Sequence, residues 1–404
     1  MTISPGQPRT ILISGAGIAG PALAYWLRRY GFTPTVVERA PSVRDGGYAV
    51  DFRGPVHLAV LDRMGLRDAV ERLSTGTGDW WQVDARGRRL VRMPAEQTGG
   101  DIEVLRGDLA RVLFESTMEG TEYIFGDSIT TITDDTDGVR VTFERGAPRT
   151  FDLVVGADGQ HSRVRALAFG SEEAYVKHLG LYTVVLTTPN ALDLDHTGLV
   201  HIQPNRLVAA YSARGNTEAK VMMYFSSPPL EYDRNDLDEQ RAIVARTFAD
   251  VGWQTPKLLQ LMATAPDFYL DAASLVTMDA WTRRRVALVG DAAYGSSSLS
   301  GMGNGLAVVG AYVLAGELAT AQGDHRVAFQ RYESTMRSYV DGCQKLARRV
   351  AAHMLPGSRI TAGLSLRIQR FLPFLADMPA KMARRAASAI TLPTYPADRV
   401  KGTR

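Results

Sequence analysis

The segment from Ile11 to Gly20 constrains the fold more than any other part of the chain. An apolar run, Ile11-Leu12-Ile13, leads directly into Gly15-Ala16-Gly17-Ile18-Ala19-Gly20. Pro21 to Tyr30 then reads as a helix, with proline at its start and Gly31 just past its end. A second strand, Thr35-Val36-Val37, closes on Glu38-Arg39. This order predicts a βαβ unit. Gly15 permits the tight turn, Gly17 lets the backbone approach a pyrophosphate, and Gly20 lets helix and strand pack. The helix N-terminus then faces the phosphates, and Glu38 can accept the hydroxyls of an adenosine ribose. A dinucleotide site is expected; the loop alone does not choose FAD over NAD.

Composition bounds what surrounds this unit. The chain has 404 residues, of which 45% are hydrophobic and 22% charged. This is a globular composition with room for two domains, and it excludes disordered, collagen-like and disulfide-scaffold classes. Cys343 is the only cysteine, so it reads as a small buried hydrophobe. Met1 to Arg9 has no apolar signal core. The most apolar later stretch, Leu306 to Leu318, is short for a membrane span and contains Glu317. A cytoplasmic protein without a membrane span is expected. Residues 345–404 carry twelve Lys and Arg against two Asp and Glu, so the net charge of +3 resides in this tail and the remainder is acidic. With few interleaved aromatics, the tail reads as a solvated helical face rather than a nucleic-acid or membrane surface. No metal site is expected, and no signature specifies an oligomeric state.

The predicted class is α/β: a Rossmann-like nucleotide-binding domain assembled from separate segments, an inserted β-rich substrate domain and a C-terminal helix. Residues 1–175 and 275–340 form the first, with a small β insert within 80–105. Residues 176–274 form the second. Residues 341–404 form a helical segment bridging the two, with Leu364, Ile368, Phe371 and Leu375 at helical spacing as its packed stripe.

Two further loops lie at strand ends. Gly156-Ala157-Asp158-Gly159-Gln160-His161-Ser162-Arg163-Val164-Arg165 follows the apolar run ending at Val155, and Ser162 suits a helix N-cap. Gly290-Asp291 follows Val286 to Val289, and Gly301-Met302-Gly303-Asn304-Gly305 then opens a helix. A carboxylate at a strand end can hold sugar hydroxyls. Glycines at a helix N-terminus expose N–H groups and a positive dipole end, which suits negative charge on a reduced flavin.

Taken together, these motifs resemble the FAD-dependent aromatic hydroxylases, single-component flavoprotein monooxygenases typified by para-hydroxybenzoate hydroxylase. In length the chain is most similar to the tetracycline-degrading monooxygenases and related natural-product tailoring enzymes. The pattern Asp158-Gly159-x-x-Ser162-x-Val164-Arg165 carries the most specific part of the likeness. The resemblance implies that Gly15, Ala16, Gly17, Ile18, Ala19 and Gly20 approach the FAD pyrophosphate, with Glu38 on the ribose and Arg39 near the adenine end. It implies that Arg106 and Asp158 contact FAD and that Asp291 binds the ribityl or pyrophosphate region. Gly301, Met302, Gly303 and Asn304 would line the pyrimidine side of the ring, and Gly46 to Asp51 would lie near the flavin. It further implies NADPH as transient reductant and O2 as co-substrate. A flavin C4a-hydroperoxide would be the oxygenating species, so no invariant protein nucleophile or base is expected.

The chain departs from the family where His usually follows the third motif: Tyr294 stands there, and Ser297 and Ser298 replace a usual proline segment. This departure motivates an alternative, an FAD-binding enzyme of natural-product biosynthesis doing non-redox chemistry such as cyclisation. A plain NAD-dependent dehydrogenase is a third reading. For the monooxygenase, an aromatic or polyketide-like small molecule is the expected substrate. Tyr211, Arg214, Met222 and Tyr224 are candidates to line its pocket, although Met222 and Tyr224 also fit ordinary sheet alternation.

Overall fold

The computed structural model describes residues 10–371 and 378–396. Strand Thr10–Ser14 lies inside a six-stranded sheet, and every residue after its first is buried. It pairs in parallel with strand Thr33–Glu38 on one side and strand Leu153–Gly156 on the other. Strand Val286–Leu288 extends the sheet beyond Leu153–Gly156, and strand Glu122–Phe125 extends it beyond Thr33–Glu38. The three loops singled out above therefore leave the same carboxyl edge of one parallel sheet, where ligands of such sheets bind.

Helix Ala19–Arg29 covers this sheet together with helix Gly303–Thr320. The latter is apolar around its whole circumference and buried from Asn304 to Leu318, as expected of a helix enclosed by protein. Its Gly310 is required by packing: a Cβ there would fall 1.9 Å from the Tyr294 hydroxyl. Gly310→Ala should therefore cost about 2 kcal/mol through overpacking and lower the melting temperature by several degrees. Adding Tyr294→Phe should recover part of that loss in a thermal melt.

A seven-stranded sheet forms the second layer system. Strands Tyr269–Val276, Val176–Pro189, Glu218–Ser226, Arg206–Ala213 and Gly198–Gln203 follow one another antiparallel. One face, with Val221, Met223 and Phe225, packs under helices Leu237–Phe248 and Thr255–Met262. The other face, with Leu207, Ala209, Met222 and Tyr224, looks toward Leu299 and Met354. Strands Trp80–Val83 and Arg89–Met93 continue this same sheet beyond Gly198–Gln203. They were expected as an insert of the nucleotide-binding part; their edge pairing with Gly198–Gln203 places them in the substrate sheet instead. Strand Tyr269–Val276 also runs past the expected boundary at 274. A two-stranded ribbon, Ala49–Phe52 with Ile102–Leu105, lies between the two systems.

The bridging helix is His325–His353, which begins earlier than expected. It packs on helix Gly303–Thr320, and Gln344 Nε2 donates to the Val276 carbonyl at 2.7 Å. Helices Arg359–Phe371 and Met378–Ala387 follow. The expected packed stripe is corrected here: Leu364 is 56% exposed and Ile368 38%. Helix Arg359–Phe371 meets strands Gly198–Gln203 and Arg89–Met93 with other positions, so these two face outward. The expectations for the Phe371 side chain and for Leu375 lie outside the described residues. Cys343 is buried, which pushes its thiol up to about 12. No helix among the described residues is long and apolar enough to cross a membrane.

Candidate active site

The cleft begins at the glycine loop. Gly15 adopts φ +106°, and a Cβ there would meet the Ala157 carbonyl oxygen at 2.6 Å. At Gly20 a Cβ would fall 1.9 Å from the Gly15 carbonyl oxygen. These two glycines thus pack the loop against itself and against the Asp158 loop. Gly17 differs, since its nearest neighbour is Arg106 Nη2 at 3.5 Å and the rest of its surroundings is open. Glu38 accepts from the Ala16 N–H and the Ala40 N–H, each at 2.8 Å. It thereby holds the loop to the second strand while retaining lone pairs for a ribose. Ile18 and Ala19 begin the helix, whose first turn has no side-chain cap and no acid. Arg39 is exposed at the rim.

Asp158 is consumed by protein donors. Its carboxylate accepts from Ser162 Oγ, from the Val164 N–H at 3.0 Å and from Ser14 Oγ at 3.3 Å. Burial raises its carboxyl against these bonds. Ser162 in turn caps helix Arg163–Ala168 by accepting from the Arg165 N–H. The motif therefore shapes the loop that supports Gly15.

Asp291 opens the short helix Asp291–Tyr294 just past strand Val286–Leu288 and is solvent-accessible. The protein crowded around it raises its carboxyl, opposed by the Arg106 charge. A Cβ at Gly303 would lie 3.9 Å from Asp291 Oδ1, so the first turn of helix Gly303–Thr320 stands beside this carboxylate. That helix also begins without a side-chain cap, at Met302, and without an acid in its first turn. Two uncapped helix N-termini thus leave backbone donors free around one cleft. Asn304 Nδ2 donates to the Asp51 carbonyl at 2.6 Å, tying the Gly301–Asn304 loop to the ribbon. Asp51 itself pairs with Arg53 at 2.6 Å and accepts from the Gly100 N–H at 2.8 Å.

The Ser296–Ser300 loop replaces proline rigidity with hydroxyl bonds. Ser296 and Ser300 share a hydrogen bond at 2.9 Å, and Ser297 adopts φ +60°. Ser298 lies within hydrogen-bonding reach of both Tyr48 and Tyr224. Tyr294 is a correction. Its short helical turn drives the ring into the core, 1% exposed, against Trp281 and with Tyr332 Oη donating to its hydroxyl at 3.0 Å. It does not face the cleft.

Two substrate candidates are corrected in the same way. Tyr211 accepts from the Ala49 N–H at 2.7 Å and is 2% exposed, so it ties the substrate sheet to the ribbon. Arg214 pairs with Asp108 at 3.0 Å and with Glu218 at 3.5 Å, which makes it a tether between the two parts. Met222 and Tyr224 lie on the sheet face toward Leu299. Tyr48 and Tyr269 lie near Arg106 as well. Tyr48 was legible as the bulky residue after Gly46-Gly47; Tyr269 had no local signal.

His161 forms an ionic junction that joins the Asp158 loop to the seven-stranded sheet. It contacts Glu172 and Asp271, both at 3.0 Å, and Asp271 also accepts from Tyr269 Oη at 2.7 Å. Burial lowers its pKa, but the two carboxylates outweigh this and hold it at about 9. The junction thus stabilises the fold fully below the ordinary histidine value and fades as pH rises through about 9. His161→Gln should lower the melting temperature by about 2 °C near pH 6, with the gap to wild type closing by pH 10.

A parallel sheet with three ligand-facing loops, an open Gly17 and paired uncapped helix termini fits an FAD-binding oxidoreductase. The comparisons agree. A family model described as FAD binding domain matches residues 9–353. A flavin-dependent monooxygenase of Legionella longbeachae is 40% identical over 95% of this chain and 98% of its own. The Mycobacterium tuberculosis protein Rv1260 is 47% identical over 84% of this chain and 92% of its own. Among solved structures, the tetracycline destructase Tet(55) superposes with a TM-score of 0.85 at 38% identity, covering 97% of this chain and 100% of that one. The chain belongs to this FAD-binding family and is a flavin-dependent monooxygenase.

Proposed function

We propose that the protein uses NADPH and O2 to insert one oxygen atom into a polycyclic, polyketide-like aromatic or enolic small molecule. The observation that carries this is the sheet face bearing Met222 and Tyr224 opposite Leu299 and Met354. This apolar face packs beside the Ser298 loop and would meet a flat ring system bound there. Likeness to tetracycline destructases supports the substrate class. Bound FAD supplies the electron transfer and oxygen activation.

The chain's own residues do the rest. The Gly17 backbone and the helix N-terminus receive the pyrophosphate, and Glu38 and Asp291 receive sugar and ribityl hydroxyls. The free N–H groups of Gly303 and its neighbours would stabilise negative charge on the ring of a bound, reduced flavin. Tyr48 and Tyr224, both near Ser298, would shield the cleft from water. The non-redox alternative is not retained, because Tyr294 lies in the core and family membership favours redox use of the flavin. Anaerobic mixing with NADPH tests the reading. Flavin absorbance should bleach, and a tetracycline-type compound should accelerate bleaching at least about tenfold if binding positions the reactants. A flavin that stays oxidised with every such compound would refute it.

A further inference from the structure

Asp51, already placed beside the Gly301–Asn304 loop, has an acidic neighbour on the ribbon, Glu103, to which no role has yet been given. Asp51 and Glu103 are direct cross-strand partners of an antiparallel pair, so their side chains leave the same face. Glu103 accepts from Thr75 Oγ1, and Thr77 also reaches it. Only one cation, Arg53, is paired with this couple among the described residues. Arg53 is 7% exposed and donates to Asp51, to the Gly99 carbonyl at 2.8 Å and to the Thr98 carbonyl at 3.3 Å. Its Nε is buried without a partner. That Nε and Asp51 Oδ2 each lie 3.8 Å from the position of a Cβ on Gly301, in the loop expected at the flavin.

The other neighbours do not neutralise the couple. His57 donates nothing to it: burial and the Arg53 charge lower its pKa to about 4, and its Nδ1 accepts from the Arg53 N–H at 3.0 Å. Asp101 adds a further negative charge, offset in part by Arg384 at 3.8 Å. Tyr211 Oη already accepts from the Ala49 N–H, and the charges of both carboxylates reach it and hold its hydroxyl protonated. Two half-buried carboxylates sharing one guanidinium lose their last proton only above the ordinary carboxylate range. In agreement, burial raises both carboxyls, with Arg53 opposing at Asp51 and the Asp51 charge adding at Glu103.

We propose that Asp51 and Glu103 form a proton-storing pair behind the flavin loop, taking up one proton when negative charge develops on bound FAD and releasing it when that charge is removed. The proposal rests on the FAD reading above. The balance is simple. Reduction delivers two electrons and one proton to the ring, leaving it anionic. A second proton from solvent then goes to one carboxylate oxygen of the pair, with no bond to the ring. The pair thereby keeps the buried site near constant charge through the cycle. Neither residue needs to touch substrate; both act by holding a proton next to the Gly301–Asn304 loop.

Two measurements test this on the same proteins. In the first, infrared titration of the protein without flavin compares wild type with Glu103→Gln and Asp51→Asn. A protonated-carboxyl band that titrates above the ordinary carboxylate range and disappears in Glu103→Gln is expected. Identical titrations in all three proteins would overturn the shared proton. In the second, the midpoint potential of FAD-loaded protein is followed from pH 5.5 to 8, which counts protons taken up per two electrons. Wild type should take up more than Glu103→Gln, by up to one proton, with Asp51→Asn also reduced. Superposed profiles in proteins that bind FAD equally would overturn the pair's role. If wild type failed to bind FAD, the FAD reading would fall, while the infrared arm would still decide the proton.

Discussion

Gly17→Val leaves the apo chain folded and lowers FAD affinity by at least about 100-fold, equivalent to about 3 kcal/mol. The three glycines of the first loop carry different burdens, and this variant separates them. At Gly15 and Gly20 a Cβ would strike backbone oxygens at 2.6 and 1.9 Å. Substitution there damages the loop itself. At Gly17 a Cβ meets only the flexible end of Arg106 at 3.5 Å. The added side chain therefore occupies space that the pyrophosphate needs rather than space that the fold needs. The apo melting temperature should stay within about 2 °C of wild type. Flavin fluorescence titration should show the lost affinity. Normal FAD binding by a folded Gly17→Val protein would mean that the pyrophosphate lies elsewhere.

The second large effect is structural. Asp158→Ala should destabilise the protein by about 3 kcal/mol, because three protein donors lose a buried acceptor together. Those donors are Ser14 Oγ, Ser162 Oγ and the Val164 N–H. The loss should appear in chemical denaturation of the apo protein, before any cofactor is added. Ser162→Ala should cost less, about 1 kcal/mol, since it removes one bond and the helix cap. If Asp158→Ala matched wild type in apo stability and lost only FAD, the carboxylate would be a cofactor ligand instead of a loop support.

These outcomes bear on how far the residues alone could be read. The parallel sheet was legible because each strand ends in a glycine or acid that only a tight loop explains, as at Ser14–Gly15, Gly156 and Gly290. Helix Gly303–Thr320 was legible from its apolar length. Strand pairing across long separations was not. Nothing local in Trp80–Val83 says that it will pair with Gly198–Gln203, more than a hundred residues later. Side-chain direction was the other limit. Tyr294 and Tyr211 have the composition of pocket residues, but one turns into the core and the other is spent on the Ala49 N–H. The Asp51–Glu103 couple depends on the register of the ribbon, which no spacing along the chain reveals.

As proposed above, this chain would place an oxygen atom from O2 on a small molecule held between the flavin loops and the seven-stranded sheet. The most direct test is turnover under 18O2 with FAD, NADPH and a panel of tetracycline-type and simpler polyketide aromatics, read by mass spectrometry. The account predicts a product carrying one labelled oxygen, formed only with NADPH and lost in Gly17→Val. Label that enters only from water, or conversion that proceeds without O2, would contradict it.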